Sequence, residues 1–272
     1  MRQLAIVLLV LALPLAAAAD KAAKPAAKKY RGATVSVDVK QAELSDIVRL
    51  LADVSMANMV LIDVPSTKVD LKVVNRPWDE TLDDLLVTSK LELVRTGSLF
   101  LIGQPAWIAE RKKQAKPRVY REATMDLDVK DADALAVSTL ISVATGKPFG
   151  VQPGRSRRVA LRLKRMPADQ AFEVVLAQSG ASAVDKPAIT PAPGTACVAP
   201  GLELAGLTLE AIAGIGTKRF ALLVDAKQTP YVVTKGTCVG ATKAKVKDVG
   251  QGYVTYEVGG VEQSTELQPP TP

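Results

Sequence analysis

The sequence contains no histidine. That one absence removes Ser-His-Asp nucleophilic catalysis, histidine-assisted thiol chemistry and most catalytic zinc sites. Cysteine is nearly absent as well, with only Cys197 and Cys238. Two cysteines without a histidine make a poor metal site. In an oxidising compartment an even pair suggests one disulfide, closing a loop worth roughly 3–4 kcal/mol of chain entropy; two buried free thiols are the alternative. Aromatic residues are 4% against 48% apolar overall, so the cores must be built from Val, Leu, Ile and Ala. No glycine-rich phosphate loop is present, since GIGTK at 214–218 lacks the spacing. Asp79, Glu80, Asp83 and Asp84 cluster on one helix. They read as a solvated face matched to the helix dipole rather than as an acid/base pair. The composition therefore points away from catalysis, cofactor and metal.

Long apolar runs are missing after the first twenty residues. The opening segment MRQLAIVLLVLALPLAAAAD has one basic residue, an apolar stretch from Leu4 to Leu15 and the small residues Ala17–Ala19. It reads as a signal peptide, 1–19, cleaved after Ala19, with an uncleaved inner-membrane anchor as the alternative. No Cys lies beside it, which does not fit lipoprotein processing. The expected location is the periplasm. The formal charge is +7, and much of it falls in two stretches. Residues 20–33 carry five basic and one acidic side chain, and 104–122 carry six basic and two acidic. Both read as basic linkers. They suit either a solvated spacer or an anionic envelope surface. Nucleic acid does not fit that compartment, and no small-molecule substrate is indicated.

The sequence repeats itself. Tyr30–Lys90 aligns without a gap on Tyr120–Gly180, so that YRGATVSVDVK lies over YREATMDLDVK and VDLKVVNRPWDETLDDLL over VALRLKRMPADQAFEVVL. This is a duplicated module. In the first copy Thr34–Val39 alternates as a strand and Glu43–Val54 has a helical apolar stripe. Met59–Ile62 is a short buried strand, and Val69, Leu71 and Val73 mark another. Pro77-Trp78-Asp79-Glu80 opens a second helix, and Leu91–Val94 with Leu99–Ile102 forms a hairpin at Thr96-Gly97. Trp78 stands at the helix mouth, where the second copy has Ala168. It reads as a staple folded onto the helix's apolar face, with a partner-facing aromatic as the other reading.

Residues 34–103, with the opening strand, the helix running to Asn58, the V-x-L strand, the P-W-D-x-x-L helix and the closing hairpin, resemble the secretin and TonB N-terminal short domain. The second copy, 123–182, is a degenerate relative. It lacks the Trp and a clear final hairpin and carries a basic loop with Arg155, Arg157 and Arg158, which with Trp78 are the candidate partner-binding residues. After a Pro/Ala linker at 183–200, residues 201–260 turn all-β. The segments ALLVD, YVVTKG, VGATKAKV and VTYEV resemble the periplasmic β-domain of the pilus-assembly lipoprotein PilP and the type II secretion protein GspC. The tail, 261–272, reads as disordered. The fold class is α+β, two small β-α-β-β-α-β-type modules, followed by a small all-β sandwich or barrel-like domain. No strand series for an outer-membrane barrel is present. The resemblances imply a non-enzymatic periplasmic scaffold of a secretin-containing machine, in type IV pilus assembly or type II secretion. Its expected partners are the secretin and inner-membrane assembly proteins. The alternative is a TonB-linked signalling or envelope-binding module.

Overall fold

Alternation builds the first strand, β1 (Thr34–Glu43): Val35 and Val37 point inward while Thr34, Ser36 and Asp38 stay exposed. The computed structural model describes residues 30–114, 119–152, 157–184 and 196–267. After β1 the apolar period changes to that of a helix, α1 (Leu44–Ser55), which buries Leu44, Ile47, Val48 and Leu51. Then come β2 (Asn58–Ile62), β3 (Lys68–Pro77), α2 (Trp78–Thr88), β4 (Glu92–Thr96) and β5 (Leu99–Gly103). Pro77 precedes the first turn of α2, where a helix does not need its missing N–H, and Asp79 and Glu80 face the positive end of the dipole. β1 pairs with β3 in a two-stranded antiparallel sheet. β5 lies between β2, to which it is parallel, and β4, to which it is antiparallel.

The second copy supplies β6 (Thr124–Ala132), α4 (Ala134–Thr145), β7 (Val159–Pro167) and α5 (Ala168–Ser179). The copies match in register as well as in order. Val35, Val37, Val39 and Ala42 oppose Arg76, Val73, Leu71 and Val69; Met125, Leu127, Val129 and Ala132 oppose Met166, Leu163, Leu161 and Val159. Both ladders break at the same two places, between the first and second and between the third and fourth of these pairs. The small details repeat too. The backbone N–H of Asn75, at φ 52, donates to Ser36, and that of Arg165, at φ 48, donates to Asp126. Arg31 and Arg121 each donate a backbone N–H to the helix-opening carboxylate, Asp79 or Asp169, at 3.0 Å. In the second copy Val151, at the position of Leu61 in β2, makes an antiparallel bridge to Ala183; residues 185–195, where most of a closing hairpin would fall, lie outside the described set.

The remaining strands are β8 (Leu207–Ile215), β9 (Lys218–Asp225), β10 (Pro230–Thr234), β11 (Cys238–Val239), β12 (Ala244–Val249), β13 (Tyr253–Val258) and β14 (Val261–Glu266). β11 to β14 form one antiparallel sheet in that order. β8, β9 and β10 do not form a sheet of their own. They join β6 and β7 in a five-stranded antiparallel sheet ordered β10-β9-β8-β6-β7. The β-rich segment and the second module therefore share one sheet across the stretch read as a linker, of which residues 185–195 lie outside the described set. The described residues from Arg31 onward form one compact unit.

Two segments depart from the sequence reading. Within the 104–122 stretch read as a basic linker, Pro105–Gln114 is a helix, α3. Ile108 is fully buried and Trp107 packs against the core, so two apolar residues hold the helix down despite its basic second half. In the tail read as disordered, Val261–Glu266 is strand β14. It pairs with β13 across Gly259-Gly260, both at positive φ, as a two-residue hairpin requires. Residues 268–272 lie outside the described set.

Three cores result. One lies inside the first module, around Leu51, Leu82, Phe100 and Ile102. A second fills the second module and extends to Ala211, Ala213, Phe220 and Leu222 of β8 and β9. The third lies between the β8–β10 end of the large sheet and the β11–β14 sheet. The β2-β5 ribbon serves the first two at once. Met59, Phe100 and Ile102 face the first module, while Val60, Ile62, Leu99 and Leu101 face the second.

Candidate docking surfaces

The seam between the modules is closed by side chains that act as backbone. Asn58, at the start of β2, donates from Nδ2 to the Lys164 carbonyl at 3.1 Å and accepts the Lys164 N–H on Oδ1 at 2.6 Å. Gln178 of α5 donates to the Leu61 carbonyl at 3.0 Å and to the Ala160 carbonyl at 2.9 Å, and it accepts the Ala160 N–H at 3.1 Å. On the outer edge of β7, Ala160 and Lys164 are thus satisfied by two amide side chains rather than by another strand. Charges continue the seam. Asp53 of α1 binds Arg162 at 3.1 Å and Lys164 at 2.8 Å, while Arg49 lies 3.8 Å from Asp128. Burial and the neighbouring Arg49 pull the Lys130 ammonium below its ordinary value. A cleft of about 620 Å³ opens beside this seam over β6, β7 and β8, lined by Asp126, Asp128, Arg162, Lys164, Arg165 and Arg219 among others.

Of the basic-loop residues read from the sequence, Arg155 lies outside the described residues. Arg157 forms an ion pair with Asp63 of the first module. Arg158 binds Asp131 at 2.8 Å, Glu210 of β8 at 2.6 Å and Gln228 at 2.8 Å. The structure brings these two arginines into internal contacts, one toward each neighbouring part of the chain. Glu210 has a side chain only 8% exposed, and its Oε2 has no hydrogen-bond partner among the described residues. Burial pushes its carboxyl above the ordinary value, against the pull of Arg158.

Trp78 meets Phe100 edge to face at 6.1 Å and packs on the first module's core. A Cβ on Gly32 would lie 2.5 Å from the indole ring, so the Trp occupies the space that glycine leaves. The second copy changes both positions together, to Glu122 and Ala168. Cys197 and Cys238 form a disulfide that fixes the start of the β-rich segment to β11, beside the parallel bridge of Val198 to Val239. Asp225 closes the β9–β10 turn. Its carboxylate accepts the N–H of Thr229 and of Lys227, each at 2.8 Å, and the Tyr231 hydroxyl, and these bonds hold it below the usual carboxylate range.

Two features escaped the sequence reading. The sharing of a sheet by β6 and β8 joins segments about eighty residues apart with no local signal. The double hydrogen bond of Asn58 was invisible because Asn58 reads locally as a turn residue.

No protein-family model matches the chain. Parts of it are similar to curated proteins of pilus assembly. It is 29% identical over 85 residues to the fimbrial assembly protein PilQ of Pseudomonas aeruginosa, a match covering 31% of this chain and 12% of that protein. It is 31% identical over 74 residues to the type IV pilus biogenesis and competence protein PilQ of Neisseria gonorrhoeae, covering 27% and 10%. The PilQ of Neisseria meningitidis matches at 27% over 110 residues, covering 40% and 14%. The aligned stretches span about a seventh or less of these relatives' own length.

Proposed function

We propose that the chain is a non-enzymatic periplasmic scaffold of a secretin-containing envelope machine, and specifically of type IV pilus assembly. It would join the outer-membrane secretin to inner-membrane assembly proteins by protein docking. The observation that carries this reading is the partial similarity to PilQ, borne by a chain of two tandem copies of one small α+β module. Pilus assembly is placed ahead of type II secretion and of TonB-linked signalling because all three relatives named above are pilus proteins. The merging of β8 into the second module's sheet further supports a rigid spacer, since a shared core resists hinge motion.

The test is capture from envelope extract with a tagged chain of residues 20–272, the form left by the expected cleavage. Deleting residues 201–260 is unsuitable as a control, because it would strip β8 and β9 from the second core. An unrelated periplasmic protein with the same tag serves instead. Enrichment of a pilus secretin or an inner-membrane pilus protein supports the reading. Enrichment of a TonB-dependent receptor, or of cell-wall fragments alone, overturns it.

A further inference from the structure

The two modules share a fold and a register, yet only one has its sheet completed. In the second, β8 lies along the outer edge of β6, with Asp126, Leu127, Asp128 and Val129 opposite Gly214, Ala213, Ile212 and Ala211. In the first, among the described residues, no strand pairs with the outer edge of β1, although Ser36, Val37, Asp38 and Val39 hold the equivalent positions. An open edge presents a row of backbone donors and acceptors to any strand that fits.

The helix above the edge differs in the same way. α4 packs across β8, β9 and β10, and Leu140 is fully buried there. Its counterpart on α1, Leu50, is 42% exposed. One turn further on, Ala144 packs against the second core while its counterpart Val54 is 39% exposed. Leu50 and Val54, four residues apart, share one helix face. The apolar row that β8–β10 cover in one copy is uncovered in the other.

We infer that the β1 edge and the Leu50–Val54 flank of α1 together form a docking site for an antiparallel strand of a partner protein. The partner strand carries the pattern of β8. Small apolar residues occupy alternate positions beneath the helix, as Ala211 and Ala213 do, and its helix-facing row carries no charge. Larger side chains there would meet α1, and a charge would be desolvated without a partner. Backbone pairing supplies the affinity and the small-residue row the selection. The inference rests on the reading of the chain as a docking component, and it names the surface used.

The probe is a synthetic peptide of residues 206–216, which carries β8, tested by disulfide trapping on the 20–272 chain. By the register of the second copy, Asp38 should oppose the position of Ile212, and Ser36 that of Gly214. Chains carrying Asp38→Cys or Ser36→Cys are mixed with peptides carrying Ile212→Cys or Gly214→Cys as thionitrobenzoate mixed disulfides, so that exchange with the chain's thiolate forms the cross-link and releases thionitrobenzoate. The unaltered chain, whose cysteines are paired, is the blank. Matched pairs should cross-link at least about tenfold faster than crossed pairs, because a two-residue offset separates the Cα atoms beyond disulfide reach. Leu50→Asp, at a half-exposed position, should slow the matched reaction about tenfold by removing the apolar contact. Equal rates for matched and crossed pairs overturn the inference. So does an absence of reaction, including the case in which a chain segment outside the described residues already covers the edge. Chain-to-chain dimers formed through Asp38→Cys in place of peptide adducts also overturn it, since a second copy's β1 would then be the occupant. If matched trapping succeeds while secretin capture fails, the machine assignment falls and the docking edge stands. If capture succeeds without trapping, the docking edge falls and the machine assignment stands.

Discussion

Asn58 and Lys164 lie 106 residues apart and exchange two hydrogen bonds, with the side chain of one acting as backbone for the other. Asn58 is 3% exposed, so water cannot replace those bonds readily. Asn58→Ala leaves the Lys164 N–H and carbonyl unpaired at the seam, and should cost about 2–3 kcal/mol. Asn58→Asp keeps an acceptor for the N–H but turns a carboxylate oxygen toward the carbonyl, and should cost at least as much. Urea denaturation of both variants measures this; a midpoint within error of the parent protein would remove Asn58 from the seam's energetics.

Gly32 and Trp78 make a coupled pair. Gly32→Ala should destabilise by clash with the indole ring, by about 1–3 kcal/mol. In the Trp78→Ala background the same change should cost less, because the ring is gone and only Asp79 Oδ1, 2.8 Å from the added Cβ, is left to give way. A double-mutant cycle read by thermal melting gives the coupling. Additive losses would show that Gly32 is needed for something other than the tryptophan.

Removal of the disulfide by Cys197→Ser with Cys238→Ser should lower stability by roughly 3–4 kcal/mol, the loop-entropy value for about forty residues. Local amide exchange of β11 and β12 should rise ahead of that of β6, since the bridge ends in β11, which pairs with β12. Uniform exchange through both sheets would mean that the β-rich part does not open separately.

The Glu210 carboxyl gives a pH signature. Its pKa in the fold is raised, chiefly by burial. The folded state therefore holds that proton more tightly than the unfolded chain does. The contribution is full below the ordinary glutamate value and is lost as pH rises through the raised one. Glu210→Gln removes this dependence. The melting temperature of the variant minus that of the parent should therefore move in the variant's favour between pH 4 and pH 7. A difference that stays constant, or moves the other way, would show that Arg158 rather than burial governs the carboxyl.

Asp225 has the opposite sign. Its carboxylate is held low by the Thr229 and Lys227 backbone N–H groups, so its contribution is present at neutral pH and is lost on acidification below the usual carboxylate range. Asp225→Ala should flatten the acid limb of the stability profile. An unchanged acid limb would exclude the β9–β10 turn as its source.

Much of the fold was legible locally. The alternation of Val35, Val37 and Val39, the stripe of Ile47, Leu51 and their neighbours, and the hairpin at Gly97 each follow from side-chain spacing and one permissive glycine. So did the duplication, since a shared register needs only matching residues at matching positions. The cysteine pair was likewise foreseen as a bridge, and the structure forms it. The helix at Pro105–Gln114 was missed because its charge outweighs its two apolar anchors in any local sum. Strand β14 was missed because none of its first four side chains is buried; it is held by backbone pairing to β13, which carries no side-chain signature.

The residues by themselves determined most of the elements, the repeat and the aliphatic character of the cores, because those depend on neighbours within a few positions. Only the tertiary structure decided that β8 completes the second module and not the first, that Arg157 and Arg158 pair with Asp63 and Glu210, and that Leu140 is buried while Leu50 is not. Strand pairing between distant segments depends on which edges meet, and equivalent residues on equivalent helices carry no record of what covers them.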